Sequence, residues 1–286
     1  MRTHNASWEP EPAIAGPGYR DGGFWDHFGG TDWAAPRRRP RWRRAVRLVR
    51  MVLALALMAV ALAALMSAAL WLITPSVGNA PSLARALASS HHARYPGPSV
   101  PRQFAASLVA TEDHRFYSEP GIDPIAVVRV SVGYLTGKPD QGGATLYQQL
   151  ARVLYRPTWP GVTAEAEQVA LGVKLETSFT KPEILQMYAD VVYFGHGFFG
   201  LDQASCGYFG VQPSKLTWPQ AAMLAGIVPA PSTDNPITNF ASARGREAHV
   251  LGRLVATGIL TRAQAAQAYR QPLHVQVGRH ASCGGA

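Results

Sequence analysis

Glu112 and Asp113 stand side by side at the end of an apolar run that includes Phe104, Leu108 and Val109. An isolated acid pair of this kind is often a solvated helix end. Here Phe116, then Pro120 with Gly121 and Asp123 with Pro124, mark a shaped turn, which directs the carboxylates toward a cleft. A carboxylate held there can take the proton from an attacking hydroxyl. About thirty residues later Gly142, Gly143 and Ala144 lead into Thr145, Gln148, Gln149 and Arg152. The glycines read as a turn entering a helix, with Thr145 near its start. Backbone N–H groups at a helix start can meet an anion, and Arg152, seven residues beyond Thr145, returns to the same side of the helix. An ordinary N-cap and a phosphate-holding site both remain open for this segment. A third stretch, Tyr188 to Gly210, carries Gly195, Gly197 and Gly200. Its glycine spacing reads as tight packing in preference to catalysis.

These side chains need helices to position them. From about 101 to 271 the pattern is helical. Capping boxes are predicted at Thr180 with Glu183, Thr217 with Gln220 and Thr261 with Gln264. Pro182 and Pro219 each fall in a first turn, where a missing N–H costs nothing. Apolar residues then recur at helix spacing, as in Ile184, Leu185 and Tyr188 or Ala221, Ala222, Leu224 and Ala225. No segment alternates as a strand would, so the globular part is predominantly α.

The formal charge of +9 on 286 residues raises nucleic acid as a partner until the charges are located. Arg37, Arg38, Arg39, Arg41, Arg43, Arg44, Arg47 and Arg50 supply eight of them, leaving 9 − 8 = +1 for the rest of the chain. A local basic cluster that abuts an apolar run is a topology signal and not a nucleic-acid face. The apolar run, 51–73, has Ser67 as its one polar side chain and is long enough to span a bilayer core. It begins too far into the chain for a cleaved signal peptide, which favours an uncleaved anchor. The arginines are then expected in the cytoplasm and everything after residue 74 outside.

Residues 1–36 read as a disordered cytoplasmic tail, 37–50 as a basic juxtamembrane segment, 74–100 as a linker, and 272–286 as a flexible tail. Cys206 and Cys283 both fall in an oxidising space, where pairing is allowed but not required. Cys206 sits in an apolar helical context and Cys283 in a Gly/Ala tail, and two unpaired thiols are expected. No metal-ligand spacing occurs.

Read together, these segments resemble the glycosyltransferase domain shared by class A penicillin-binding proteins and monofunctional peptidoglycan glycosyltransferases. The stretch Glu112 to Asp123 resembles the first motif of that family, and Gly142 to Arg152 the second. Residues 175–210 resemble the third and fourth, and 216–236 the fifth. The resemblance covers roughly 100–271 and implies a mainly α, lysozyme-like domain with a membrane-associated jaw, preceded by one transmembrane helix. It implies inverting polymerisation of lipid II into glycan strands at the cell membrane, with Glu112 as the base on the acceptor hydroxyl. Asp113, Phe116, Thr145, Gln149 and Arg152 become substrate-binding positions. Partners implied are lipid II, the growing strand, the membrane and proteins of wall synthesis or division, with no nucleic acid. No certain cofactor is implied; a divalent cation at the pyrophosphate stays open.

The chain departs from the pattern where the family has an Arg-Lys-x-x-Glu sequence. A gapless count from Glu176 places Ala164, Glu165 and Gln168 there. Glu167 is a candidate substitute for the lost acid, about 100° round a helix from Gln168. Glu119, Ala144 and Tyr147 replace the usual His, Ser and Thr, and Arg152 replaces Lys. Two functions follow: a monofunctional enzyme, or a catalytically weak or inactive relative that binds lipid II or serves as a wall-synthesis scaffold. A lysozyme-like hydrolase needs an acid on the leaving-group side and an activated water, and fits less well.

Overall fold

The structure, a computed structural model, describes residues 41–118, 145–155, 162–276 and 283. The expected N-terminal tail, Arg37 to Arg39, Glu119, the turn at 120–124, Gly142 to Ala144 and the membrane-associated jaw lie outside the described residues. The chain divides between Ala61 and Leu62 into two units.

The first unit contains the N-terminal part of helix α1, Arg41–Ile73. The helix takes in part of the basic segment as well as the apolar run, because arginine, leucine, alanine and methionine all propagate helix well. By length and composition Arg44–Leu62 is long and apolar enough to cross a membrane, with a mean hydropathy of 2.2 and no part of it buried in the protein. Exposed Leu53, Leu57 and Val60 are what lipid contact requires.

The second unit is built from helices around one core. Residues 74–100, expected as a linker, instead include helix α2, Ala80–Ser90. The reason is Ala80, Ala84 and Ala88, which recur every fourth residue, are buried, and let the helix lie close against its neighbours. Helix α3, Arg102–Glu112, buries Phe104 and Leu108 and ends at the acid pair. Then come α4, Leu146–Tyr155, and α5, Val162–Ser178. Next are α6, Lys181–Val191, α7, Gly200–Phe209, and α8, Trp218–Ile227. The described helices end with α9, Phe240–Ala256, and α10, Arg262–Arg270. Among the described residues there is one isolated bridge, Tyr193 to Phe199, and no strand.

Local chemistry sets the helix starts as the sequence predicts. The N–H of Thr180 donates to Glu183 at 2.8 Å, that of Thr217 to Gln220 at 3.0 Å, and that of Thr261 to Gln264 at 2.8 Å. Helix α8 is apolar all round because it is the central element, packed on α3 and α9. Its close approach to α9 needs Gly226, where an added Cβ would stand 3.0 Å from the Arg246 backbone. The 193–210 stretch does the packing work its glycines predict. Gly195, Gly197 and Gly200 have φ of 85°, 82° and 78°, and a Cβ on Gly200 would meet the Asp190 carbonyl oxygen at 2.7 Å.

Two expectations are corrected near the C-terminus. Cys206 and Cys283 are joined in a disulfide and are not free thiols. The stretch 272–276, expected as flexible, is docked: Leu273 is buried, its carbonyl accepts from Gln220 at 3.2 Å, and Gln276 N–H donates to Tyr208 O at 2.7 Å. Docking carries the chain back toward α7, where Cys206 lies, and an apolar helical context proves no obstacle to pairing.

Candidate active site

Helix α3 delivers Glu112 at its last turn, and α4 delivers the side chain that meets it. Gln149 Nε2 donates to Glu112 Oε2 at 2.9 Å. The amide is held from behind by the buried Tyr188 of α6, whose hydroxyl donates to Gln149 Oε1 at 2.6 Å. Three helices are thus linked by one chain of hydrogen bonds that ends on the Glu112 carboxylate. Burial pushes the Glu112 pKa up, and the Asp113 charge adds to this; the Gln149 bond and the Arg246 guanidinium pull it down. A carboxylate with these opposing influences is a stronger base than a solvated one, yet keeps contacts that favour its ionised form.

Asp113 has a different job. Its Oδ2 accepts from the backbone N–H of Leu146 at 3.1 Å, so the start of α4 is occupied by the protein's own carboxylate. Thr145 is a cap in the ordinary sense, with Gln148 N–H donating to its hydroxyl at 3.3 Å and Thr145 N–H donating to Gln148 Oε1 at 3.3 Å. The adjacent motifs are therefore stapled together: residue 113 caps the helix whose residue 149 contacts residue 112. Phe116 is 1 % exposed and packs its ring 5.2 Å from that of Tyr147. The structure places it in the core, next to Tyr147.

The second cluster lies between α4 and α5. Arg152 Nε donates to Gln168 Oε1 at 2.9 Å. One turn away, Gly172 sits against Gln148, where a Cβ would meet Gln148 Cγ at 3.1 Å. The pairs 152/168 and 148/172 fix an antiparallel register. Glu167 does not share that contact. Its Oε2 is buried and has no hydrogen-bond partner among the described residues.

Arg246 and Tyr188 were not legible as site residues in sequence. Tyr188 sits at core spacing on α6, and only its hydroxyl betrays a polar task. Arg246 donates from Nε to Gly226 O at 2.7 Å and lies 3.6 Å from Asp234. On the same face of α9, Arg253 Nε donates to Ala110 O at 3.0 Å and steadies the last turn of α3. The 246/253 spacing of seven residues was the available signal. Among the described residues no three His, Cys, Asp or Glu side chains form a group that could hold a metal.

A family model described as Transglycosylase matches residues 82–255, more than half of the chain. A protein of Cupriavidus necator that carries the name transglycosylase is 37% identical over 197 residues, covering 68% of this chain and 85% of the relative. Penicillin-binding protein 1A of Aquifex aeolicus is 35% identical over 178 residues, 62% of this chain and 24% of the relative. Penicillin-binding protein 1A of Escherichia coli is 35% identical over 166 residues, 58% of this chain and 20% of the relative. The chain thus spans about a quarter or less of these two penicillin-binding proteins.

Proposed function

We propose, from the premise that this chain belongs to the transglycosylase family, that it is a membrane-anchored peptidoglycan glycosyltransferase polymerising lipid II into glycan strands. The observation that carries the reading is the Tyr188–Gln149–Glu112 chain of hydrogen bonds, which fixes a partly dehydrated carboxylate at a helix end. In this reading Glu112 takes the proton from the acceptor's sugar hydroxyl as that oxygen attacks the donor's anomeric carbon. The bond to the lipid pyrophosphate breaks, and the configuration inverts. Arg152, with Nε held by Gln168, presents the rest of its guanidinium to the departing pyrophosphate. The apolar part of α1 is the anchor, with its basic N-terminal flank in the cytoplasm and the chain after residue 74 outside.

A second reading is favoured by one observation. Among the described residues Arg152 Nε is held by the neutral Gln168, and the adjacent acid, Glu167, has a buried oxygen with no hydrogen-bond partner. A site depleted in this way can bind a pyrophosphate-linked sugar without turning it over, which is the behaviour of a lipid II-binding scaffold. Purified full-length chain incubated with labelled lipid II and run on a polymer gel separates the two. A ladder of glycan strands supports the enzyme; retention of lipid II without a ladder supports the scaffold; a chain that gives no ladder and retains no lipid II refutes both readings.

A further inference from the structure

Lys174 belongs to none of the motifs and is 8% exposed. Its ammonium donates to Trp71 O at 2.7 Å, Thr74 O at 2.7 Å, Thr74 Oγ1 at 2.8 Å and Pro75 O at 3.2 Å, and it lies 5.0 Å from the Trp71 ring centroid. All of these atoms belong to the second unit. Its hydrogen-bond acceptors are three backbone carbonyls and a hydroxyl, with no carboxylate among them. The last carbonyls of a helix have no partner within it, and the C-terminal end of the helix dipole attracts a cation. An ammonium at the end of α1 meets both demands, and a buried cation without acceptors would be costly. Lysine, with three donors on a flexible stem, can reach several converging carbonyls where a planar guanidinium could not.

The placement on α5 gives the contact its consequence. Gly172 faces α4, one turn from the Gln168 contact with Arg152. Lys174, two residues on, points about 200° round the helix from Gly172. Helix α5 is therefore gripped on one side by α4 and on the other by the point where the chain leaves α1.

We propose that Lys174 is a positioning residue that fastens the foot of α1 to α5 and thereby sets how the site meets a substrate whose lipid tail stays in the bilayer. This rests on the reading of the substrate as lipid-linked. A lipid-linked donor and acceptor cannot rise to the site, so the site must be held where their head groups lie. In detergent micelles the substrate moves freely and this constraint disappears.

The test compares full-length wild type with Lys174→Met, which keeps the stem and removes the ammonium, and with Thr74→Val, which removes one acceptor from the opposite side. Each is measured with lipid II in bilayer nanodiscs and in micelles, reading KM for polymerisation or, for a chain without turnover, Kd for lipid II. Amide exchange of 74–79 is followed in the same samples. Lys174→Met should raise exchange in 74–79 and raise bilayer KM or Kd roughly tenfold, with kcat and the micelle value changed less than about twofold. Thr74→Val should move the same values in the same direction by less. Equal losses in bilayer and micelle, or unchanged exchange and affinity in both variants, would overturn the proposal. Absence of lipid II binding by the wild type, with exchange raised in Lys174→Met, would refute the lipid-linked substrate and with it the positioning role, leaving the contact purely structural.

Discussion

Tyr188→Phe isolates the part of the site that holds the base without touching the base. The ring stays, so the core around a side chain only 1% exposed is not hollowed out; the change is one hydroxyl. That hydroxyl donates at 2.6 Å to Gln149 Oε1, and without it the amide loses the contact that holds it from the α6 side. A lost hydrogen bond that leaves one partner poorly satisfied costs about 1–2 kcal/mol, which for a domain of this size lowers Tm by about 2–8 °C. The effect on rate runs through Glu112. The Gln149 bond lowers the Glu112 pKa against the rise caused by burial, so a loosened amide lets that pKa climb further. A general base works ionised, and the acid limb of the pH–rate profile then moves to higher pH. If the misalignment costs about 1–2 kcal/mol in the transition state, kcat falls roughly 5- to 30-fold. Gln149→Met removes the same contact from the other end, so the double variant should lose little more than Gln149→Met alone. Additive losses in the double variant, or an acid limb that stays in place, would show that Tyr188 is only core packing.

The depleted second acid position is tested by Gln168→Glu with Ala164→Arg and Glu165→Lys. A charge-assisted partner for Arg152 and two recovered cations should raise polymerisation about tenfold or more. If Glu167 is the working acid instead, Glu167→Gln alone abolishes activity and the triple change gives no gain. A separate prediction concerns Glu247, which is buried, paired with Arg244 at 2.6 Å, and has its pKa pushed up by burial to about 7 from 4.5. Below pH 4.5 the group is protonated folded and unfolded, and above that the unfolded chain releases a proton the folded chain retains. Stability is therefore lost as pH rises from 4.5 to about 7, by up to about 3 kcal/mol. The difference between wild-type and Glu247→Gln denaturation curves should change across that window and be flat above it; a difference constant with pH would refute the assignment.

Much of the architecture was legible because it rests on local chemistry. Thr180, Thr217 and Thr261 announce their helices through the residue three positions on, and all three boxes form. Counting back from Glu176 picks out Gln168, but its contact with Arg152 joins two separate helices and no count along the chain shows it. What failed to show was long-range. Residues 74–100 looked like a linker because four prolines dominate the composition, while the three alanines that dock α2 have no polar contrast. Cys206 and Cys283 are 77 residues apart, and nothing local says that 273–276 returns to α7. Phe116 shares a motif with Glu112 yet serves the core, and Tyr188 shares a core pattern yet serves Glu112. Sequence spacing gives the face of a helix, but the partner on that face belongs to another helix.

The claim that Glu112 is the general base is tested most directly by polymerisation of lipid II by purified wild type and Glu112→Gln, measured side by side across pH. The amide keeps the shape and can still meet Gln149, but it cannot accept the acceptor's proton. Loss of the base should lower the rate by roughly 10²-fold or more, and the acid limb, which burial of Glu112 is expected to shift upward in the wild type, should vanish from the residual rate. Equal rates for the two proteins, or an unchanged acid limb in Glu112→Gln, would contradict the account.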